Sequence, residues 1–211
     1  TTIYAATSGN VVLNAATIGA NLEGTASDFA AAFSNIPNAG FSVTLIGADS
    51  ATIDELKTIN GAISGAVVLN TATNAVAYTD TAANLISAFD GITSHTGGLT
   101  VSDTGAVSAA DLNKINTFTA GNTFVTAASE FTGSAAELVA AVGDVTQGQN
   151  VALTITGTTP AIIAELKAIN AATSGTVVLN AATIAANLGD TAANLVAAFD
   201  GINTSTGDLT I

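Results

Sequence analysis

The chain repeats itself, and no other feature constrains its fold so strongly. The segment Ala164-Glu165-Leu166-Lys167-Ala168-Ile169-Asn170 returns as Asp54-Glu55-Leu56-Lys57-Thr58-Ile59-Asn60 and, more loosely, as Ala110-Asp111-Leu112-Asn113-Lys114-Ile115-Asn116. Ile59 and Ile115 are 56 residues apart, and Ile115 and Ile169 are 54. A second block, Ser174-Gly175-Thr176-Val177-Val178-Leu179-Asn180, matches Ser64 to Asn70 and Ser8 to Asn14, with a drifted copy from Ala120 to Thr126. A third, Asp190 to Ile202, matches Asp80 to Ile92, with diverged versions from Ser27 to Ile36 and from Gly133 to Val145. The fourth, Leu209-Thr210-Ile211, matches Leu153 to Ile155, Leu99 to Val101 and Val43 to Leu45. Whatever one copy forms its neighbours form too, and a short unit with several apolar faces buries them by stacking on the next.

Periodicity assigns a state to each block. In the third block Leu195, Phe199 and Ile202 fall at i, i+4 and i+7, as do Leu85, Phe89 and Ile92, Leu138, Val142 and Val145, and Phe29, Phe33 and Ile36. That spacing is one stripe of an amphipathic helix. Thr25, Thr81, Ser134 and Thr191 stand where an N-cap accepts a bond from the first free N–H groups. The Glu-Leu-Lys block puts Ile53, Leu56 and Ile59 on one side of a second helix, and Pro160 is expected just inside the start of its last copy, where a missing N–H is harmless. The Val-Val-Leu-Asn and Leu-Thr-Ile blocks are short, β-branched and bounded by Gly and Asn, the pattern of strands. Ile184, Ala186 and Leu188 alternate as Ile18, Ala20 and Leu22 do, which predicts a further extended segment there.

The expected fold is α/β: a repeat solenoid of about 56-residue strand-helix units with parallel strand stacking, strands about 4.8 Å apart and right-handed crossovers. It runs through residues 1–211 as one array with units 1–49 (partial), 50–105, 106–159 and 160–211 (partial). Leu56, Leu112 and Leu166 are expected in one buried column, and Phe33, Phe89, Val142 and Phe199 in another. The alternative is a pair of compact α/β domains of about 110 residues each. Thr1 to Gly9 aligns with Lys167 to Gly175 and Ile211 falls inside a strand block, so the expectation is an excerpt of a longer array, cut in mid-repeat, or a processed subunit.

Composition narrows the function. Three Lys and no Arg stand against 16 Asp and Glu, a formal net charge of −13. Phosphate contacts need clustered cations, so nucleic acid is not an expected partner, and anionic membranes are disfavoured for the same reason. With no Cys, a disulfide framework, a zinc-thiolate site and a cysteine nucleophile are excluded. Gly, Thr, Ser and Asn interrupt every apolar run before it reaches the roughly 18 residues of a transmembrane helix. A mean hydropathy of +0.54 argues for a folded chain.

The candidate chemistry is sparse. His95, the single histidine, lies in Thr93-Ser94-His95-Thr96-Gly97-Gly98 opposite Ser205 of the last copy, and reads as a solvent-exposed loop residue. No catalytic residue, cofactor-binding residue or metal ligand is expected, and the chain is not read as an enzyme. Calcium is the one ion the oxygen-rich composition leaves open, although no Asp-x-Asp-x-Asp-Gly loop occurs. Asp90 and Asp200 at helix C-termini oppose the helix dipole and invite a compensating ion, but the equivalent positions hold Ser34 and Gly143. Capping accounts for Asp28, Asp80 and Asp190. Asn14, Asn70 and Asn180, with Thr126 in the third copy, form a column suited to bonding neighbouring backbone groups. Thr44, Thr100, Thr154 and Thr210 are expected on one sheet face, where a register match makes a hydroxyl ladder of the kind also found in ice-binding solenoids. Thr93 to Gly98 and Val145 to Asn150 are the loops on which a glycan or calcium site is expected.

The wording Ala-Glu-Leu-Lys-Ala-Ile-Asn-Ala-Ala-Thr-Ser-Gly of Ala164 to Gly175, followed by Val-Val-Leu-Asn and by Thr-Ala-Ala-Asn-Leu-Val-Ala-Ala-Phe, resembles tandem Ala/Thr/Asn-rich repeats of very large secreted or cell-surface proteins of cyanobacteria and related bacteria, which often carry hemolysin-type calcium-binding modules elsewhere. The resemblance covers nearly the whole chain and supplies no catalytic residue. It implies a structural, extracellular role at the cell surface: an S-layer, filament, sheath or adhesin stalk built by end-to-end self-association or by continuation of a larger chain. A glycan- or calcium-binding surface module is the alternative.

Overall fold

The computed structural model describes residues 21–34, 40–92, 94–147, 150–202 and 205–211. The blocks at Ser8 to Asn14, with Ile18, Ala20, Ile36 and Thr93, lie outside them. The chain divides into two compact units, Thr1–Thr100 with Thr117–Asn122, and Val101–Asn116 with Thr123–Ile211. Both are mixed α/β with parallel strands.

The first unit runs β1 (Asn21–Gly24), α1 (Ala26–Phe33), β2 (Ser42–Leu45), α2 (Ile53–Ala62), β3 (Val67–Val68), α3 (Thr71–Ala75), β4 (Tyr78–Asp80) and α4 (Ala82–Phe89), and closes on β5 (Leu99–Val101), whose last residue belongs to the second unit. The second continues with β6 (Ala106–Ser108), α5 (Ala109–Asn116), β7 (Thr123–Val125), β8 (Glu130–Gly133), α6 (Ala135–Asp144), β9 (Val145–Gln147), β10 (Ala152–Ile155), α7 (Ile163–Ala172), β11 (Val177–Val178), α8 (Ala181–Ala185), β12 (Leu188–Gly189), α9 (Ala192–Phe199) and β13 (Leu209–Thr210).

Strand pairing is parallel and steps forward evenly. Asn21 pairs with Ser42 and Val43 with Val67 in the sheet β1-β2-β3. In the second unit Val107, Phe131, Leu153 and Val177 stand in register across β6, β8, β10 and β11. Alternation puts Val43, Leu45, Phe131, Leu153 and Ile155 in the core. Successive long helices cover that core: α2 packs on α1 and α4, and in the second unit α5, α6, α7 and α9 contact in chain order.

Each sequence repeat holds two long helices, as its two helical blocks predict. Long helices begin at Ala26, Ile53 and Ala82, and at Ala109, Ala135, Ile163 and Ala192, so one helix-and-strand step takes 26 to 29 residues and the 56-residue sequence repeat holds two. Backbone geometry treats the Glu-Leu-Lys and Thr-Ala-Ala-Asn helices alike, although their sequences differ. The Leu56 and Phe89 helices therefore alternate in one layer instead of forming separate columns. Leu56, Leu112, Leu166, Phe33 and Phe89 are buried, whereas Val142 and Phe199 are half-buried.

Helix starts follow the capping chemistry. Thr25, Thr81, Ser134 and Thr191 each accept a backbone N–H three residues on, leaving fewer orphan donors in the first turn. Thr52 with Glu55 forms a reciprocal capping box, as Ser134 does with Glu137. The last copy has Ile162 in place of Thr52, so only Glu165 reaches back, to the Ile162 N–H at 3.0 Å. Pro160 lies two residues before that N-cap, outside the helix, because α7 begins at Ile163. The Val-Val-Leu-Asn blocks give strands of only two residues. Their Asn turns the chain into the short helices α3 and α8, so Ile184 is helical and extended structure resumes at Leu188.

Candidate functional site

The polar side chains do their bonding from one step to the next. Asn180 accepts the Thr183 N–H at 2.9 Å, capping α8, and its amide donates to the Gly157 and Thr159 carbonyls at 3.1 and 3.0 Å. Asn70 does the same with Thr73 N–H and with the Gly47 and Asp49 carbonyls. The expected bonding to neighbouring backbone is therefore present at both. It ties a turn 21 to 23 residues upstream, and among the described residues neither amide bonds to another Asn of the column. Asn14 lies outside the described residues. Thr73 and Thr183, which sequence reasoning missed, are fully buried, and their hydroxyls accept the Ala51 and Ala161 N–H groups at 2.8 Å. The signal was present as Asn-x-x-Thr, a cap followed by the residue it caps.

Between helices the same logic recurs. Lys57 donates to Asn84, Asn84 donates to Asp80, and Asp80 accepts the Thr81 N–H. Lys167, Asn194, Asp190 and Thr191 repeat the chain. The hydrogen bond from Asn194, and then the one from the Thr191 N–H, lower the Asp190 pKa below the usual carboxylate value. Asp80 and Asp190 thus serve helix starts, and Asp28 accepts from the Thr25 hydroxyl. Asp90 and Asp200 do end helices, and there Asn60 and Asn170 supply amide donors to the Ser87 and Asp90, and the Ala197 and Asp200, carbonyls. Amide donors from the neighbouring helix meet these orphan carbonyls. Among the described residues no three His, Cys, Asp or Glu side chains gather as a metal centre would require.

His95 is a correction. It is 1% exposed, walled by the rings of Phe89 at 4.9 Å and Tyr78 at 5.6 Å between centroids. The turn after it is drawn inward: Thr96 and Gly97 N–H both donate to the Asn74 carbonyl, and Gly97 passes so near the Val76 carbonyl that a Cβ there would sit 2.0 Å from the oxygen. A glycine in a loop can mark close backbone approach as readily as an exposed turn. Neither imidazole nitrogen has a hydrogen-bond partner. Burial lowers the His95 pKa, partly offset by the nearby Thr73 carbonyl. Tyr78 donates to the Ala51 carbonyl at 2.6 Å, and burial pushes its pKa to about 12.

The other loop, Val145 to Asn150, contains a strand, since Val145 to Gln147 pair with Thr123 to Val125. The hydroxyl ladder does not form from the expected threonines. Thr44 lies between Glu23 and Val68, and Thr154 between Thr132 and Val178.

Two surfaces stand open on the second unit. One is an apolar pocket of about 460 Å³ lined by Ala192, Val196, Phe199, Leu209 and Ile211 among others. The other is a polar groove of about 520 Å³ beside Asn170, Thr173, Ser174, Thr176 and Asp200. Comparison with known protein families, with curated proteins and with solved structures finds no match to this chain.

Proposed function

We propose that the chain is a structural repeat module of an extracellular surface layer, filament, sheath or adhesin stalk, working by end-to-end stacking of like helix-and-strand steps as a solenoid. The observation that carries this reading is a contrast between two copies of one sequence. In the first copy Leu99 and Val101 are fully buried; their counterparts Leu209 and Ile211 are 46% and 88% exposed. Ala82 and Phe89 are buried, while Ala192 is exposed and Phe199 half-buried, and Val196 is 70% exposed. What covers the first copy is more of the same repeat: Leu99 N–H donates to the Asn122 carbonyl, and Ala120 N–H to the His95 carbonyl. A face shaped by that repeat accepts a further step of the same kind supplied by a second copy, and such a head-to-tail contact propagates. The reading is non-enzymatic. Its extracellular setting rests on the resemblance of the repeat wording to large cell-surface proteins.

Sedimentation velocity on the 211-residue chain tests it. Concentration-dependent association that Val196→Glu abolishes is the expected result, with axial filaments by electron microscopy at high concentration. A monodisperse monomer at high concentration overturns the trans form of stacking. A glycan-binding surface module is the second reading, favoured by the polar groove beside Asn170 and Asp200, and saturable binding to a glycan array that Asp200→Ala removes would establish it.

A further inference from the structure

His95 has no part in the proposed stacking, and its surroundings point elsewhere. A neutral buried imidazole always has one N–H; here the Thr73 carbonyl lies near the ring without completing a well-formed hydrogen bond, and no donor meets the opposite lone pair. Adding a proton to such a ring puts a charge out of water with two donors and only the Thr73 carbonyl near them.

What surrounds the ring decides whether the charge finds compensation. Phe89 of α4 and Tyr78 of β4 wall the ring, the Thr73 backbone of α3 lies near it, and residues 117–122 join the His95 backbone through the bridge at Thr119. The ionisable groups on those elements are few. Tyr78 is neutral below about 12, and its hydroxyl is turned to the Ala51 carbonyl. Asp80 is bonded to Thr81 N–H and Asn84, and Asp90 at the end of α4 is exposed. Glu55 of α2 bears on Tyr78. The sequences of α3, α4 and residues 117–122 contain no charged residue. Among the described residues no carboxylate faces the imidazole.

We propose that His95 makes the first unit acid-labile: protonating its buried ring loosens residues 94–98 and the bonds they make to residues 117–122, while the second unit, with Ser205 at the corresponding place, holds. The bonds at risk are Ala120 N–H to the His95 carbonyl, Thr119 hydroxyl to the Gly97 carbonyl, and Thr96 and Gly97 N–H to the Asn74 carbonyl. The second unit keeps the last pair, Thr206 and Gly207 N–H to the Ile184 carbonyl, and has Ile184 and Leu188 where the first has Asn74 and Tyr78. A proton-driven change confined to one of two like units is a regional switch of the kind histidine supplies near neutral pH.

Two measurements on the full chain test this. The chain has one histidine, so its imidazole NMR signals report a single titration. A midpoint below the ordinary 6.5 is expected. Hydrogen exchange, corrected for its intrinsic pH dependence, should show protection of residues 72–100 and 117–122 falling by up to roughly tenfold per pH unit between about 6.5 and the imidazole midpoint, with residues 181–202 unchanged. His95→Ser, which installs the residue of the second unit, should flatten that dependence. A midpoint at or above 6.5, protection in the first unit that does not fall, an equal fall in both units, or an unaltered fall in His95→Ser overturns the proposal.

Discussion

Thr183→Val isolates one bond that joins successive steps. The substitution keeps the branched shape and replaces a fully buried hydroxyl by a methyl group. That hydroxyl accepts the Ala161 N–H at 2.8 Å, and Ala161 is itself buried just ahead of α7. Valine leaves this N–H without an acceptor and with no path to water, a penalty of about 1–3 kcal/mol. The added methyl returns less than about 1 kcal/mol, so a net loss of about 1–2 kcal/mol is expected. With a urea slope of about 2 kcal/mol/M the midpoint falls by about 0.5–1 M. Circular dichroism across a urea series reads it. Because two compact units need not unfold together, Thr73→Val serves as the matching probe of the first unit and assigns the transitions. Thr154→Val, on the outward side of β10, should change stability by less than about 0.5 kcal/mol. A Thr183→Val midpoint within about 0.2 M of the parent would refute the reasoning, since the buried Ala161 N–H would then have found another partner.

Four further outcomes are expected. Phe89→Ala should cost about 3–5 kcal/mol in the same assay, and Phe199→Ala clearly less, because its ring is only half-buried. Ile162→Thr should stabilise by about 0.5–1 kcal/mol, restoring at α7 the N-cap that Thr52 gives α2 and removing an exposed isoleucine. Alkali should weaken the first unit: above about pH 10 the unfolded tyrosine sheds its proton while Tyr78 holds it to about 12, so stability present below 10 is lost across that window, read as ultraviolet phenolate absorbance rising together with loss of structure. Chelation with EGTA should leave the melting temperature within a few degrees, and a fall of more than about 10 °C would show that a bound ion holds the fold.

Parts of this architecture were legible in the sequence because they rest on local chemistry. The caps at Thr25, Thr81, Ser134 and Thr191, and the alternation of Thr154 with buried Leu153 and Ile155, follow from hydrogen-bonding capacity and the two-residue period of a strand. The even spacing of the two helices within each repeat was not legible, because residue matching sees only the copies that share wording. His95 was misread for a related reason. Gly97 and Gly98 look like an exposed turn, yet Gly97 is there because the Val76 carbonyl leaves no room for a side chain. Asn70 and Asn180 were legible as bonding residues, but the partner of each is fixed by a turn more than 20 residues upstream, which only the stacked backbone brings near.

The polar bonds also bear on why such a chain repeats. An isolated step would carry buried N–H groups at Ala51 or Ala161 and turn carbonyls at Gly47 or Gly157 whose partners, Thr73, Thr183, Asn70 and Asn180, all come from the following step. Each step is thus incomplete until the next is laid on it, and its Ala-rich helix gains its apolar cover from the same neighbour. On the proposed solenoid stacking, stability is a sum of nearest-neighbour terms that grows with the number of steps. Gly97 and Gly207 extend the point to the backbone: each lies under 3 Å, measured from the Cβ it lacks, from a carbonyl one step upstream, at Val76 and Ala186. Substituting alanine at Gly97 should therefore part the two backbones and lower hydrogen-exchange protection on both sides of the contact, at residues 74–78 and at 95–99. Loss confined to the Gly97 turn would show that neighbouring steps fold independently.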